Sequence, residues 1–168
     1  MLQKQWHNEN HDILLINASI SGETTTGGLA RLPRLLQQHA PDIILIELGG
    51  NDALRGYPIT AIKKNLIKII TQAQASGSKI ILSAIQIPSN YGRRYRNLFQ
   101  QSYVDVSQKH KVPLIPFFME VLLAQEGSLE KFLQQDGIHP NSDAQDKISQ
   151  IMFQTLTPLI ANMAKENT

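Results

Sequence analysis

Short runs of aliphatic residues alternate along this chain with longer stretches whose apolar side chains recur every three or four positions. Asp12 to Asn17, built on Ile13-Leu14-Leu15-Ile16, reads as a buried strand. Gly27 to His39 sets Leu29, Leu32, Leu35 and Leu36 at helical spacing, with Pro33 inside the pattern. Ile43 to Leu48 is a second apolar run, closed by Gly49-Gly50. From Thr60 to Ser76, Ile62, Leu66, Ile69, Ile70 and Ala73 share one helical face, with Thr60 placed to cap the start and Gly77 to end it. Lys79 to Ile87 predicts a third strand, ended by Pro88. A helix is expected from Asn90 to about His110, with Tyr95, Leu98, Phe99, Tyr103 and Val106 inward. Val112 to Pro116 predicts a short fourth strand whose prolines suit a sheet edge. Ser142 to Met163 predicts the last helix, with Ile148, Ile151, Met152, Leu156 and Leu159 inward and Ser142 or Asp143 as its cap.

Strands alternating with helices predict an α/β chain with a parallel sheet covered by helices on both faces. Ligands of such sheets bind beyond the carboxyl ends of the strands, so chemistry is sought in the segments that follow them. The 168 residues fit one domain, expected to span the whole chain. Sixteen Lys and Arg against fourteen Asp and Glu give +2, and aromatics make up 6%. Neither suits a nucleic-acid partner, and none is expected. No apolar run approaches the roughly 20 residues that span a bilayer, so no membrane span is expected. Met1 to His7 lacks an apolar core, so no signal peptide is expected in the chain as given, which would leave it cytoplasmic as given. With no cysteine, disulfides, thiolate zinc sites and cysteine nucleophiles are excluded. His7, His11, His39 and His110 have no spacing that joins them to a carboxylate cluster, and there is no P-loop or G-x-G-x-x-G. No metal and no cofactor are expected.

Three segments can carry chemistry. Asp136 and His139 lie three apart in a loop containing Gly137 and Pro140. A short loop lets the carboxylate fold back to the imidazole Nδ1–H, leaving Nε2 free as a general base; the same spacing also suits a plain Asx-turn. Asn51 follows Gly49-Gly50 at a strand end, where a side-chain amide can donate to a developing oxyanion. Gly22 can offer a backbone N–H for the same purpose. Ordinary turn chemistry explains both positions as well. Ser19 and Ser21 are hydroxyls near the first strand, but neither stands in a G-x-S-x-G elbow.

Together these segments resemble the SGNH (GDSL-type) hydrolases, and most of all the bacterial acyl-CoA thioesterase I, lysophospholipase and arylesterase group. The matching stretches are Asn17 to Glu23, Gly27 to Pro33, Glu47 to Asp52, Asn90 to Tyr95, Val112 to Glu120 and Asp136 to Asn141. They cover nearly the whole chain in order. The resemblance implies a flavodoxin-like, five-stranded parallel sheet between helices. It also implies hydrolysis of a small-molecule acyl ester or thioester through a serine acyl-enzyme, without a cofactor. The triad acid and base fall on Asp136 and His139, and the oxyanion donors on Gly22 and Asn51. The loop near Ile87, Pro88, Asn90 and Tyr91 is assigned to line the acyl pocket. Relatives of this type are often periplasmic.

The resemblance leaves one piece unmatched. The family's first strand and its Gly-Asp-Ser-Leu, which carries the nucleophile, have no counterpart in this sequence, and no serine here inherits that role. The domain is therefore expected to be truncated at its N-terminus relative to the family, without the central strand. Either the strand at 13–16 pairs directly with that at 43–48, or an open or distorted edge remains. An in-frame block upstream of Met1 would supply the missing piece. The alternative function is a catalytically inactive remnant that at most binds acyl ligands. A flavodoxin-like binding module is disfavoured by the lack of a phosphate-binding signature.

Overall fold

The computed structural model describes residues 1–165. In chain order its elements are α1 (Leu2–Asn8), α2 (Thr25–His39), β1 (Ile43–Ile46), α3 (Gly50–Leu54), α4 (Ile59–Ala75) and β2 (Lys79–Ser83). There follow α5 (Arg93–His110), β3 (Leu114–Ile115), α6 (Phe118–Glu126) and α7 (Ala144–Lys165), with single 3₁₀ turns at Ser89–Tyr91 and Glu130–Phe132. The chain forms two compact units, one of residues 18–116 and the other of residues 1–17 with residues 117 onward.

The 18–116 unit is a parallel α/β sheet, as the alternation of strands and helices predicts. Its strand order is β1-β2-β3, with Ile43 opposite Lys79, Ile46 opposite Leu82, and Leu82 opposite Leu114. Prolines 113 and 116 flank β3, which is an edge strand of two residues. Helix α4 buries Ile62, Leu66, Ile69, Ile70 and Ala73, the five positions its spacing marks. These pack with Ile80, Leu82, Phe99, Tyr103 and Val106 into one core. Thr24 caps α2, its Oγ1 accepting from Gly27 N–H at 3.2 Å. Pro33 lies inside α2 without ending it, since it removes one N–H and the helix continues to His39.

Several expectations need correction. Asp12 to Asn17 is not a strand; residues 11–20 are irregular. An extended run needs a neighbour to take its N–H and C=O groups, and none of the described strands pairs with it. One side chain partly fills that role: Gln3 Nε2 donates to Ile13 O at 2.7 Å, and Gln3 Oε1 accepts from Leu15 N–H at 2.6 Å. Leu14 is left 83% exposed, with Leu15 and Ile16 also exposed. Of the two outcomes foreseen for the sheet, the open edge is the one found, because among the described residues no strand lies along the outer side of β1. The sheet consequently has three strands. Leu98 points outward at 51% exposed, and Ser102 takes a buried place on α5. Thr60 does not cap α4, whose N-cap is Pro58. At α7 neither Ser142 nor Asp143 is the main cap, since Asn141 Oδ1 accepts from the N–H groups of Asp143 and Ala144 at 3.0 and 3.2 Å.

In the second unit, α1 packs on α7 and α6 on α7. Trp6 is 1% exposed and donates from Nε1 to Thr157 Oγ1 at 2.8 Å, while Ser149 Oγ donates to Gln5 Oε1 at 2.9 Å. Met119, Leu122, Phe132, Ala144 and Ile151 form its core. Trp6→Ala removes both a buried ring and a hydrogen bond. It is expected to cost about 3–5 kcal/mol in urea unfolding, and Trp6→Phe, which keeps most of the ring, clearly less.

Candidate functional site

The candidate residues fall into two groups, one in each unit. Asp136 and His139 occupy the loop between the second 3₁₀ turn and α7. That loop is pinned at its base by an antiparallel bridge between Leu133 and Pro140. Asn141 holds its return: its Nδ2 donates to Lys131 O and Leu133 O, while its Oδ1 caps α7. Gly137, at φ 66°, allows the tight turn in which Gln134 O accepts from Gly137 N–H and His139 O from Gln134 N–H.

The turn sets Asp136 against the residues that follow it. Its Oδ1 accepts from Ile138 N–H at 2.9 Å and His139 N–H at 3.0 Å, and its Oδ2 meets His139 Nδ1 at 2.7 Å. The short spacing therefore yields both the Asx-turn and the acid–imidazole pair. A carboxylate can only accept, so in the neutral ring the proton sits on Nδ1 and Nε2 keeps its lone pair. The His139 side chain is 63% exposed, which leaves that nitrogen accessible.

The His139 ring, followed by the backbone N–H groups of His139 and Ile138, holds the Asp136 carboxyl down at about 2. A depressed acid binds its proton later in the folded state than in the unfolded chain. Its contribution to the loop is thus complete above about pH 4, the ordinary carboxylate range. It is lost as pH falls through about 2. A carboxyl-carbon NMR titration is expected to give an Asp136 midpoint near that value. In His139→Ala the midpoint should move up toward the ordinary range.

The second group lies in the 18–116 unit. Ile20 O accepts from Glu23 N–H at 3.2 Å, and Gly22 stands third in this turn with φ 75°. That is a type II turn, and the position favours glycine. Gly22 O accepts from Arg55 Nη2 at 3.3 Å, and Glu23 O accepts from Asn51 Nδ2 at 3.0 Å. Both carbonyls are thereby turned toward α3 and the residue after it. Gly22 N–H has no acceptor among the described residues. Asn51 uses one amide hydrogen on Glu23, and this leaves the other to donate elsewhere. The acceptor also fixes which end of the amide is nitrogen.

Buried residues that sequence reasoning passed over support this arrangement. Asp52, 1% exposed, accepts from Thr25 N–H at 2.8 Å and from Thr25 Oγ1 at 2.6 Å. Asn65 Nδ2 donates to Thr25 Oγ1 at 3.0 Å. The start of α2 is therefore fastened to α3 one residue from Asn51. Glu23 adds an ion pair to Arg31 at 2.8 Å. Its carboxylate lies over Gly27, where a Cβ would come within 1.9 Å of Oε1. Tyr103 donates to Leu48 O at 2.7 Å, and burial, with the charges of Asp52 and Glu47 added, pushes its hydroxyl pKa well up. Gly49, at φ 117°, has that hydroxyl where a side chain would start, 2.4 Å from an added Cβ. Asp52 could have been noticed as a second polar residue directly after Asn51 at a strand end.

Of the residues assigned to an acyl pocket, Ile87 is buried in the core. Tyr91 lines a cavity of about 470 Å³ with Gly92, Arg93, Arg94, Tyr95 and Leu98. The described residues hold no cluster of three or more His, Cys, Asp or Glu able to bind a metal, and no described helix is long and apolar enough to cross a membrane.

A parallel α/β sheet with polar residues gathered just past the end of β1 is the architecture of many hydrolases. Residues 1–147 match the GDSL-like lipase/acylhydrolase family, and the chain belongs to that family of hydrolases. It is 43% identical over 160 residues to an esterase, TesA, of Pseudomonas aeruginosa, covering 95% of this chain and 78% of that one. It is 42% identical over 160 residues to thioesterase 1/protease 1/lysophospholipase L1 of Escherichia coli K12, covering 95% and 74%. The crystal structure of the psychrotrophic esterase EstA from Pseudoalteromonas sp., inhibited by monoethylphosphonate, superposes with a TM-score of 0.88 at 40% identity, covering 95% of this chain and 85% of that one.

Proposed function

We propose that these residues serve hydrolysis of acyl esters and thioesters through a serine acyl-enzyme. The observation that carries the reading is the 2.7 Å contact of Asp136 Oδ2 with His139 Nδ1. In this reading His139 Nε2 takes the proton of the attacking serine and later returns it to the leaving group. Asp136 holds the ring and stabilises the imidazolium. The Asn51 amide and the Gly22 N–H donate to the tetrahedral oxyanion. No cofactor enters. The relatives' names support the ester and thioester classes.

The nucleophile is the separate question. No Gly-Asp-Ser-Leu occurs in the 168 residues, so the reading places the attacking serine outside them. A strand carrying it would find free N–H and C=O groups along β1. Without that serine, the same donors hold an acyl carbonyl and do not cleave it.

Treatment of the 168-residue protein with a fluorophosphonate, followed by intact mass, tests this directly. No adduct is expected. A stoichiometric adduct on Ser19 or Ser21 would mean that one of them has become the nucleophile, and would overturn the placement of the serine outside the chain.

A further inference from the structure

We propose that the Asp136-Gly137 peptide is a site of spontaneous isomerisation to isoaspartate, and that the contacts aligning Asp136 with His139 also hold that reaction back. The proposal concerns the covalent chemistry of the loop and stands whether or not the chain turns over an ester.

The sequence offers such a pair once. Asp136-Gly137 is the single Asp-Gly of the 168 residues, and no Asn-Gly occurs. The reaction needs the Gly137 nitrogen to reach the Asp136 carboxyl, and glycine, having no Cβ, obstructs that approach least. A Cβ built on Gly137 would meet nothing within 4 Å. Residues 134–139 are all exposed, and the Asp136 side chain is 43% so, which gives water access. In the first step the Gly137 nitrogen bonds to Asp136 Cγ. Its proton leaves with the carboxyl hydroxyl as one water, and a five-membered succinimide closes. In the second step one water opens the ring. Opening at Cγ restores aspartate; opening at the main-chain carbonyl of Asp136 leaves the backbone running through Cβ and Cγ. Nothing is oxidised or reduced, and the mass is unchanged.

The product would end the pairing with His139. Its carboxylate is carried directly on Cα, one carbon shorter than before, and the backbone to Gly137 is one carbon longer. The contacts of Asp136 with Ile138 N–H, His139 N–H and the His139 ring, at 2.9, 3.0 and 2.7 Å, belong to the original geometry.

The loop opposes the first step in three ways. Gly137 N–H is committed to Gln134 O at 3.0 Å, which restrains the nitrogen from turning onto the carboxyl. Both carboxyl oxygens are engaged, so swinging the group toward Gly137 costs hydrogen bonds to an ionised acceptor. Only the neutral acid has a hydroxyl to lose, and the same contacts, the His139 ring foremost, keep Asp136 ionised down to about 2. His139 supplies two of the three contacts and the only one to Oδ2. The imidazole therefore guards the acid that orients it.

The 168-residue protein, its His139→Ala variant and a synthetic peptide of residues 132–147 are incubated side by side at mildly acidic pH. Cleavage after Lys131 and Lys147 releases the same segment from the two proteins, and electron-transfer fragmentation locates isoaspartate within it. The peptide is expected to isomerise at Asp136 fastest, and the intact protein at least about tenfold more slowly, since far less of its carboxyl is neutral. His139→Ala should isomerise at Asp136 at least about threefold faster than the intact protein. Global unfolding of the variant would also raise isoaspartate at Asp143 and Asp146 in the same segment, whereas loss of the guard raises it at Asp136 alone. Equal rates in protein and peptide would overturn the proposal, because the fold would then give no protection. So would an unaltered rate in His139→Ala, an acceleration shared equally by Asp143 and Asp146, or a peptide that forms no isoaspartate at Asp136.

Discussion

Asp52→Ala is expected to destabilise the protein by about 3–4 kcal/mol in urea unfolding. The carboxylate accepts two hydrogen bonds, both buried and both from Thr25. A hydrogen bond to a charged group contributes about 1.5–3 kcal/mol, and an orphaned buried donor costs about 1–3 kcal/mol. After the substitution Thr25 N–H has no acceptor, while Thr25 Oγ1 keeps only the bond it accepts from Asn65. Thr25→Val removes the hydroxyl bond and leaves the backbone one. It should cost about half as much, and the double variant should cost little more than Asp52→Ala alone, because the pair acts as one unit. Asp52→Asn preserves shape but turns an amide N–H toward a donor, and should fall between the two. A loss in Asp52→Ala no larger than that of an exposed substitution would show that α2 and α3 are held together by packing alone.

The largest effect on catalysis is expected at Asn51. In a form of the protein carrying a nucleophilic serine, Asn51→Ala should lower kcat by about 100- to 1000-fold with little change in KM. An oxyanion donor acts mainly on the transition state. The fold should survive, since the side chain is partly exposed and its one described bond is to Glu23 O at 3.0 Å. Asn51→Asp should be worse than alanine, because it puts a negative charge where the tetrahedral intermediate develops its own. A rise in KM with kcat unchanged in the alanine variant would mean that Asn51 binds the substrate without favouring the transition state.

Where the sequence could be read, a local rule decided the outcome. The five inward positions of α4 follow from 3.6-residue spacing over 17 residues. The Asp136–His139 pair follows from a three-residue spacing in a loop with Gly137. The failures are of another kind. Ile13-Leu14-Leu15-Ile16 has strand composition, but a strand exists only with a neighbour, and the side-chain amide of Gln3 substitutes for it at only two backbone groups. Helix α3 spans five residues, too few to show a period. Leu98 is apolar and adjoins the inward face of α5, yet it lies a helix position away from buried Phe99 and projects outward. The support from Asp52 to Thr25 joins residues 27 apart, a relation that no spacing rule along the chain can register. Likewise the role of Asn141 depends on both ends of one amide, donating to Lys131 and Leu133 and accepting from the start of α7.

The central proposal is that these residues supply the base, the acid and the oxyanion donors of a serine acyl hydrolase whose attacking serine lies outside them. The most direct measurement is hydrolysis of palmitoyl-CoA and p-nitrophenyl esters by two proteins. One is the 168-residue chain; the other is the same chain with a strand and a Gly-Asp-Ser-Leu turn joined ahead of Met1. The account predicts background rates from the first and turnover from the second, with His139→Ala or replacement of the new serine returning the second to background. Turnover by the extended protein that persists in His139→Ala would contradict it.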